Sequence, residues 1–138
     1  MNELVLYYSY SGNTKKIALD MAAKYNLTSC EVIDDVKPGK FEAYTRGCYK
    51  AMKGMAFPIK PLSLNLAEHK TVFVFAPIWA GAIAPPMNAA LAKLPANTKI
   101  SLRLVSGSGR SNKIKITEHI TALGLEILDY EDIKARKI

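Results

Sequence analysis

The clearest candidates for chemistry lie in one short stretch near the N-terminal end of the sequence. The stretch is Ser9-Tyr10-Ser11-Gly12-Asn13-Thr14, between an apolar run and a helical pattern. Its hydroxyl groups, its amide side chain and the backbone N–H groups at the bend are the donors that a phosphate needs at a helix N-terminus. The alternative is an ordinary helix cap made by Ser11 or Asn13. The donors exceed what capping requires, and we predict phosphate binding.

The type of phosphate follows from what this stretch lacks. Gly12-Asn13-Thr14 does not have the Gly-Lys-Ser/Thr ending, or the longer spacing, of a loop that wraps a triphosphate. The three-glycine pattern of dinucleotide-binding proteins is also missing. We therefore predict that the loop holds one terminal phosphate.

A second candidate loop follows the third apolar run and reads Pro77-Ile78-Trp79-Ala80-Gly81. Trp79 is the only tryptophan of the chain, and at the end of a central strand its indole is suited to cover a flat aromatic ligand. The alternative is an anchor that packs on the protein's own surface. The small residues Ala80 and Gly81 allow a ring to approach the backbone closely.

A third loop, Ser106-Gly107-Ser108-Gly109, follows the fourth apolar run and precedes Arg110. It offers N–H and hydroxyl donors to the polar edge of a ring, and Arg110 adds a positive charge for an anionic substrate or a reduced ring. Clusters of Gly and Ser are also common in turns, so the position of this loop carries the prediction.

The elements that position these loops alternate along the chain. Short apolar, β-rich runs cover residues 4–8, 30–33, 71–76, 100–105 and 125–128, and helical patterns cover 14–25, 41–52, 86–94 and 112–123. This alternation predicts one α/β domain over residues 1–138, with a parallel sheet, helices on its faces and ligands beyond the carboxyl ends of the strands.

With these three loops in this order, the chain resembles the flavodoxin family over nearly its whole length. The resemblance implies a three-layer, doubly wound sheet of five parallel strands in the order 2-1-3-4-5. It also implies a non-covalent FMN, with the phosphate on residues 9–14 and the flavin ring against residues 77–81 and 106–109. The third loop lacks the tyrosine that commonly stacks on the flavin in that family, and we expect one flavin face to be open.

The leading functional prediction is an FMN-dependent electron-transfer protein, in which the flavin supplies the chemistry and the protein supplies position and electrostatics. One alternative is an NAD(P)H-dependent FMN or quinone reductase on the same fold. The other is a non-redox binding module that has lost the flavin. Because no nucleophile and base occur together in the sequence, no catalytic residue is assigned.

The formal net charge of +7 is concentrated in one segment. Residues 37–61 hold six basic residues and one acidic residue, which are Lys37, Lys40, Arg46, Lys50, Lys53, Lys60 and Glu42. The helical spacing predicts a buried stripe formed by Phe41, Tyr44, Cys48, Met52 and Met55, with the basic side chains opposite. The basic side is either a solvated face or a docking site for an acidic redox partner or an anionic cosubstrate. Without aromatic or glycine-rich readout elements, nucleic-acid binding is not predicted.

The remaining sequence features concern the location of the protein, its cysteines and histidines, and the end of the sheet. The first residues carry no basic region ahead of an apolar stretch, and no apolar run reaches about 18 residues, so we predict a cytoplasmic protein without a membrane span. Cys30 and Cys48 are predicted to be buried single thiols, and His69 and His119 lack metal-ligand spacing. The fifth strand ends near residues 128–130, which predicts a short or absent final helix and leaves a sheet surface that a homodimer partner would close.

Overall fold

The structure, a computed structural model, describes residues 3–135. Along the chain its elements are β1 (Glu3–Tyr7), α1 (Asn13–Lys24), β2 (Thr28–Glu31), α2 (the consecutive segments Lys40–Glu42, Ala43–Gly47 and Cys48–Met52), a 3₁₀ turn (Leu66–Glu68), β3 (Thr71–Trp79), β4 (Ala82–Ile83), α3 (Pro85–Leu91), β5 (Lys99–Ser106), α4 (Lys113–Ala122) and β6 (Glu126–Lys134). The middle segment of α2 is a π-helix.

The sheet has the strand order β2-β1-β3-β5-β6, and all of these neighbours run parallel. The short β4 lies off this path and pairs antiparallel with β3. With β4 set aside, the order is the predicted 2-1-3-4-5, and the predicted α/β doubly wound fold is confirmed. The direction of winding changes between β1 and β3, and ligands bind at this position in such sheets.

Helices cover the two faces of the sheet unequally. The larger core cluster joins alternate strand residues such as Leu6, Val74 and Leu102 to Met87 of α3 and Ile120 of α4. The smaller cluster, which includes Val5 and Phe75, is covered by Ala18 and Ala22 of α1. Because β3 contributes to both clusters, its apolar run is continuous, as expected of a central strand buried on both faces.

The strand predicted for residues 71–76 continues to Trp79 and turns back into β4 through a two-residue hairpin. Both turn residues, Ala80 (φ 53°) and Gly81 (φ 81°), have positive φ. Two-residue hairpin turns with positive φ at both positions match the twist of the strands that they join. The second candidate loop is therefore the rigid end of a strand and a tight turn.

The prediction of a buried apolar stripe on α2 is wrong. The side chains of Phe41 and Tyr44 are 81% and 79% exposed, and Met52 and Met55 are also exposed, while Cys48 is half-buried. The residues that face the protein core are small and four residues apart, and they are Ala43, Gly47 and Ala51. Small residues let α2 approach its neighbours closely, and its large apolar side chains then point outward.

β6 extends beyond its predicted end to Lys134. Among the described residues only Ala135 follows it, and residues 136–138 lie outside the described part of the chain. On the α1 side of the sheet, Arg103 of β5 forms ion pairs with Asp129 and Glu131 of β6. Its guanidinium group also lies over the ring of Phe73. A charged network thus covers the sheet where the homodimer interface was predicted, and that dimer stays a prediction.

Candidate functional site

The three candidate loops meet at one edge of the sheet, because β1, β3 and β5 are adjacent and parallel. The ring of Tyr10 stands edge-on to the indole of Trp79, with 5.7 Å between their centroids. On the other side, the Asn112 N–H donates a hydrogen bond to the Gly81 carbonyl over 2.7 Å. The loop after β1, the β3–β4 hairpin and the loop after β5 are therefore joined into one rim, called the rim below.

The loop after β1 leaves the first turn of α1 open to a ligand. Gly12, at φ 103°, is the residue that precedes the helix, and in residues 3–135 no side chain caps the first helical turn. Ser9 Oγ accepts the Gly12 N–H over 2.9 Å, which closes the loop one residue before the helix. The capping alternative considered for Ser11 and Asn13 is not observed. The N–H groups of the first turn lie at the positive end of the helix dipole.

The side chains of this loop have different surroundings. Ser11 and Gly12 are exposed, Asn13 is half-buried and Thr14 is buried. The Tyr10 hydroxyl donates to the Pro38 carbonyl over 2.7 Å, so its proton is already committed. Tyr10 therefore fixes the position of the loop, and the exposed Ser11 hydroxyl and the N–H groups are the donors that a phosphate can reach.

Lys37 brings a positive charge to the same loop. Its Nζ donates to the Tyr10 carbonyl over 2.9 Å and lies 4.7 Å from the centroid of the Tyr10 ring. Sequence reasoning counted Lys37 within the basic segment and not in the site. The predicted strand order could have placed Lys37 near the site, because Lys37 follows β2 and β2 is the neighbour of β1. Loops after adjacent parallel strands emerge at the same edge of the sheet.

A cleft of about 430 Å³ lies between the hairpin tip and the loop after β5. Ile78, Ala80 and Gly81 form one wall. The other wall consists of Ser106, Gly107, Ser108, Arg110 and Ser111. This volume falls in the range of small-molecule and cofactor sites. The second and third candidate loops thus line one cavity, and the exposed Arg110 adds a positive charge to it.

Some of the donors in the third loop are used within the loop itself. Ser106 Oγ accepts the N–H groups of Gly109 and Arg110 over 3.0 and 3.2 Å. Gly107 and Ser108 are exposed and line the cleft. Gly109, at φ 71°, packs close to Lys134, and a Cβ at position 109 would lie 3.1 Å from the Lys134 Cβ. Gly109 therefore shapes the loop.

Trp79 is half-buried, and the protein holds its indole firmly. A Cβ at Gly47 would lie 2.8 Å from Trp79 Cζ3, and the ring of Tyr8 approaches the indole edge-on at 6.4 Å. These contacts match the surface anchor that was the alternative for Trp79. Only the remaining exposed part of the indole is available to a ring ligand, so contact with a flavin stays a prediction.

A partly buried hydrogen bond lies next to the rim, between the buried Tyr8 and the half-buried Asp34. The Tyr8 hydroxyl donates to Asp34 Oδ2 over 2.8 Å. Burial raises the pKa of Asp34, although the bond from Tyr8 and the nearby Lys37 act in the opposite direction. Burial and the same bond also raise the pKa of Tyr8. The pair links β1 to the segment that carries Lys37 and Pro38.

Comparisons with solved structures identify the fold. A flavoprotein in complex with FMN from Lactobacillus acidophilus NCFM is 20% identical, with a TM-score of 0.73 over 94% of this chain and 91% of the other. A provisionally assigned flavoprotein from Bacteroides eggerthii DSM 20697 is 18% identical, with a TM-score of 0.78 over 94% of this chain and 86% of the other. A flavodoxin from the domain Archaea is 17% identical, with a TM-score of 0.57 over 97% of this chain and 85% of the other. No family model and no curated protein sequence matches the chain. At these identities the likeness establishes a flavodoxin-like fold.

Proposed function

We propose that this flavodoxin-like chain binds one FMN at the rim and passes electrons through it. The observation that carries the proposal is the uncapped first turn of α1, joined through Tyr10 and Trp79 to a cleft of about 430 Å³. A phosphate site and a ring-sized cleft at the same sheet edge fit a mononucleotide with a flat ring. A structural neighbour of this chain is a flavoprotein in complex with FMN, which supports this assignment.

The residues of the first loop suit the phosphate end of FMN. Ser11 and the N–H groups of Asn13 and Thr14 would donate to the phosphate oxygens, at the positive end of α1. A Cβ at Gly12 would meet nothing within 4 Å, so backbone and ligand can approach each other there. Lys37 adds a charge that the phosphate would attract, and Tyr10 holds the loop in place.

The cleft suits the ring. When bound, FMN supplies one-electron and two-electron redox chemistry. The turn at Ala80 and Gly81 would lie along the ring, and the N–H groups of Gly107 and Ser108 would donate to its polar edge. Arg110 would stabilise negative charge that develops on a reduced ring. Since the rim contributes a fixed hairpin and fixed loops, the protein's part is to orient the ring and leave an edge accessible.

The source of electrons separates a carrier from a reductase. We expect FMN-loaded protein under anaerobic conditions to keep its visible flavin absorbance when NADPH alone is added in a stopped-flow spectrometer. Dithionite should bleach it, which is the positive control. Bleaching by NADPH within seconds would assign the NAD(P)H-dependent reductase activity instead. Protein that is colourless as purified and fails to bind added FMN would support a non-redox binding module.

An acidic redox partner fits the outer face of α2, defined by Phe41, Tyr44, Met52 and the cations Arg46 and Lys50. The aromatic rings are exposed, and both cations lie over the ring of Phe57, with Arg46 at 5.3 Å and Lys50 at 5.5 Å. Arg46 also forms an ion pair with Glu42 over 3.1 Å, so among the described residues Lys50 is the cation of this face that has no acidic partner. Exposed apolar side chains beside a net positive charge are typical of surfaces that bind acidic proteins. This face lies on the same helix as Gly47, which contacts Trp79 of the rim.

Electron transfer from a reduced acidic ferredoxin to FMN-loaded protein tests this face. The rate should fall as ionic strength rises from about 0.02 to 0.5 M, because screening weakens charge steering. Lys50→Gln and Phe41→Ser should each slow the reaction at low salt, while Lys93→Gln, an exposed lysine after α3, should leave it unchanged. A rate that does not depend on salt or on Lys50 would contradict docking at this face.

A further inference from the structure

The outer edge of the sheet at β6 is long and exposed. β6 is the last strand in the sheet order, and among residues 3–135 no other strand pairs with its outer side. A bulge beside Ile100 and Ser101 of β5 interrupts its first part, so its regular part begins at Asp129 and ends at Lys134. Such an edge presents unpaired N–H and C=O groups to any strand that approaches it. The charges on the edge determine which strand can pair there.

The backbone groups that face outward belong to alternate residues of β6. The Ala135 N–H donates to the Ser106 carbonyl of β5 over 2.8 Å. Ile133 is two residues earlier and turns its backbone groups toward β5 in the same way, beside Val105. The N–H and C=O groups of Asp132 and Lys134 therefore lie on the open side of the strand.

Charges of opposite sign lie on the two sides of Ile133. Asp132 precedes it and Lys134 follows it, and both side chains are exposed. Asp132 accepts a hydrogen bond from Ser111, but neither Asp132 nor Lys134 forms an ion pair in the part of the chain that the structure describes. A strand with an acidic residue before an apolar one and a basic residue after it is complementary to its own antiparallel copy.

We propose that β6 pairs with β6 of a second copy of this chain, antiparallel and across a two-fold axis at Ile133. In this register Ile133 lies opposite Ile133 of the second copy, and each Asp132 lies opposite a Lys134. Because Asp132 and Lys134 also carry the outward backbone groups, each of these pairs is joined by two ladder hydrogen bonds. The sheets of the two copies then form one continuous sheet.

Other registers place like charges opposite one another. A two-fold axis at Asp132 brings two carboxylates together, and an axis at Lys134 brings two ammonium groups together. An axis at Glu131 opposes two glutamates, and an axis at Tyr130 sets Asp129 against Glu131. A slip of one residue would oppose side chains from different faces of the sheet. The charges that protect the edge against other pairings thus leave the Ile133 register open.

The sequence beyond Ala135 fits the same register. Arg136 and Lys137 stand at the sequence positions that this register sets opposite Tyr130 and Asp129, although both lie outside the described part of the chain. The proposed interface is the edge of β6, and it is distinct from the sheet face that the sequence predicted for a homodimer. It does not depend on the proposed binding of FMN.

Sedimentation equilibrium between about 10 μM and 1 mM protein, with and without FMN, tests the pairing. We expect the mass to approach that of two chains, and Lys134→Asp and Asp132→Lys each to weaken association at least about tenfold, because like charges then face each other twice. An equimolar mixture of the two variants should form a mixed dimer about as tight as the unmodified one. Lys93→Asp, at an exposed lysine outside β6, is the control and should change nothing.

The mixture separates pairing from damage to the fold, because mixing cannot repair a contact within one chain, such as the bond from Ser111 to Asp132. A monomer at about 1 mM, full association of Lys134→Asp alone, or no recovery in the mixture would each overturn the proposal. Failure to bind FMN would leave all three readings unchanged, so it would not be mistaken for failure of this interface.

A disulfide tests the register itself. Opposite residues of a non-hydrogen-bonded pair have Cα atoms about 4.5 Å apart, within the reach of a disulfide. Ile133→Cys should therefore form a reducible covalent dimer on mild oxidation, in a Cys48→Ser background that removes the half-buried thiol. Glu131→Cys is the matched control, because its two copies would be about 13 Å apart along the strands. Cross-linking of Glu131→Cys but not of Ile133→Cys would contradict the register.

Discussion

The indole of Trp79 lies directly against the backbone of Gly47, so close that a Cβ at position 47 would stand 2.8 Å from Cζ3. Gly47 is also the central member of the small-residue set that turns α2 toward the protein core. The contact therefore joins the rim to the helix that carries the exposed aromatic and basic side chains. Both the position of Trp79 and the outward direction of Phe41 depend on it.

Gly47→Ala tests this contact. In a helix, replacing Gly by Ala normally stabilises a protein by about 0.5–1 kcal/mol, but here the added methyl group must displace a large ring. We expect a net loss of about 1–3 kcal/mol in the free energy of unfolding, measured with urea. The matched control is Gly39→Ala, because a Cβ there would meet nothing within 4 Å. Equal stability of the two variants would contradict the packing of Trp79 on α2.

Phe41→Ser tests whether the Phe41 side of α2 is exposed, and Phe57→Ser, in the segment after α2, is the comparison at a buried position. Phe41 is 81% exposed, and we expect its replacement to change the free energy of unfolding by no more than about 0.5 kcal/mol. Phe57 is 6% exposed, and its replacement should cost about 3 kcal/mol or more. Urea unfolding of both variants gives the comparison. A large loss in Phe41→Ser would restore the buried stripe that the sequence predicted.

These contrasts show what sequence patterns capture in this protein. The alternation of apolar runs and helical patterns predicted the sheet and its order, because a buried parallel strand such as β3 needs an unbroken apolar run. It did not predict the orientation of α2. Hydrophobic periodicity assigns large side chains to the core, whereas Trp79, distant in sequence, already fills the space beside α2 and leaves room only for Gly47.

The candidate site could likewise be predicted from the sequence only in part. The loops were predicted from residue types that follow strands, and parallel topology places such loops together. The cation Lys37 was missed as a site residue, because its approach to Tyr10 depends on the path of the chain after β2. The use of Ser106 as an acceptor within its own loop was equally invisible, since composition does not show which N–H groups are already bonded.

Lys37→Gln tests the electrostatic part of the proposed phosphate site. Because Lys37 lies beside the loop at residues 9–14, we expect its loss to weaken FMN binding about fivefold. Riboflavin, which lacks the phosphate, should bind with unchanged affinity. Quenching of flavin fluorescence gives both constants, and Lys40→Gln is the matched control in the same basic segment. Equal weakening of FMN and riboflavin would show that Lys37 acts on the loop conformation only.

His119 should make stability depend on pH. Burial lowers its folded-state pKa below the ordinary value of 6.5, so between those two values the unfolded chain binds a proton that the folded chain does not. The free energy of unfolding therefore falls as pH decreases below about 6.5. We expect a larger fall between about pH 7.5 and pH 5 in the unmodified protein than in His119→Gln, measured by urea unfolding. Parallel curves for the two proteins would refute the burial of this imidazole.

The central claim is that the uncapped turn of α1 holds a phosphate while the adjoining cleft holds a flavin ring. Its most direct test is a paired titration of flavin-free protein with FMN and with riboflavin, followed by fluorescence quenching. We predict one FMN per chain and an affinity for FMN at least about a hundredfold higher than for riboflavin, since several charge-assisted hydrogen bonds reach the phosphate. Equal affinity for the two flavins, or no binding of either, would contradict it.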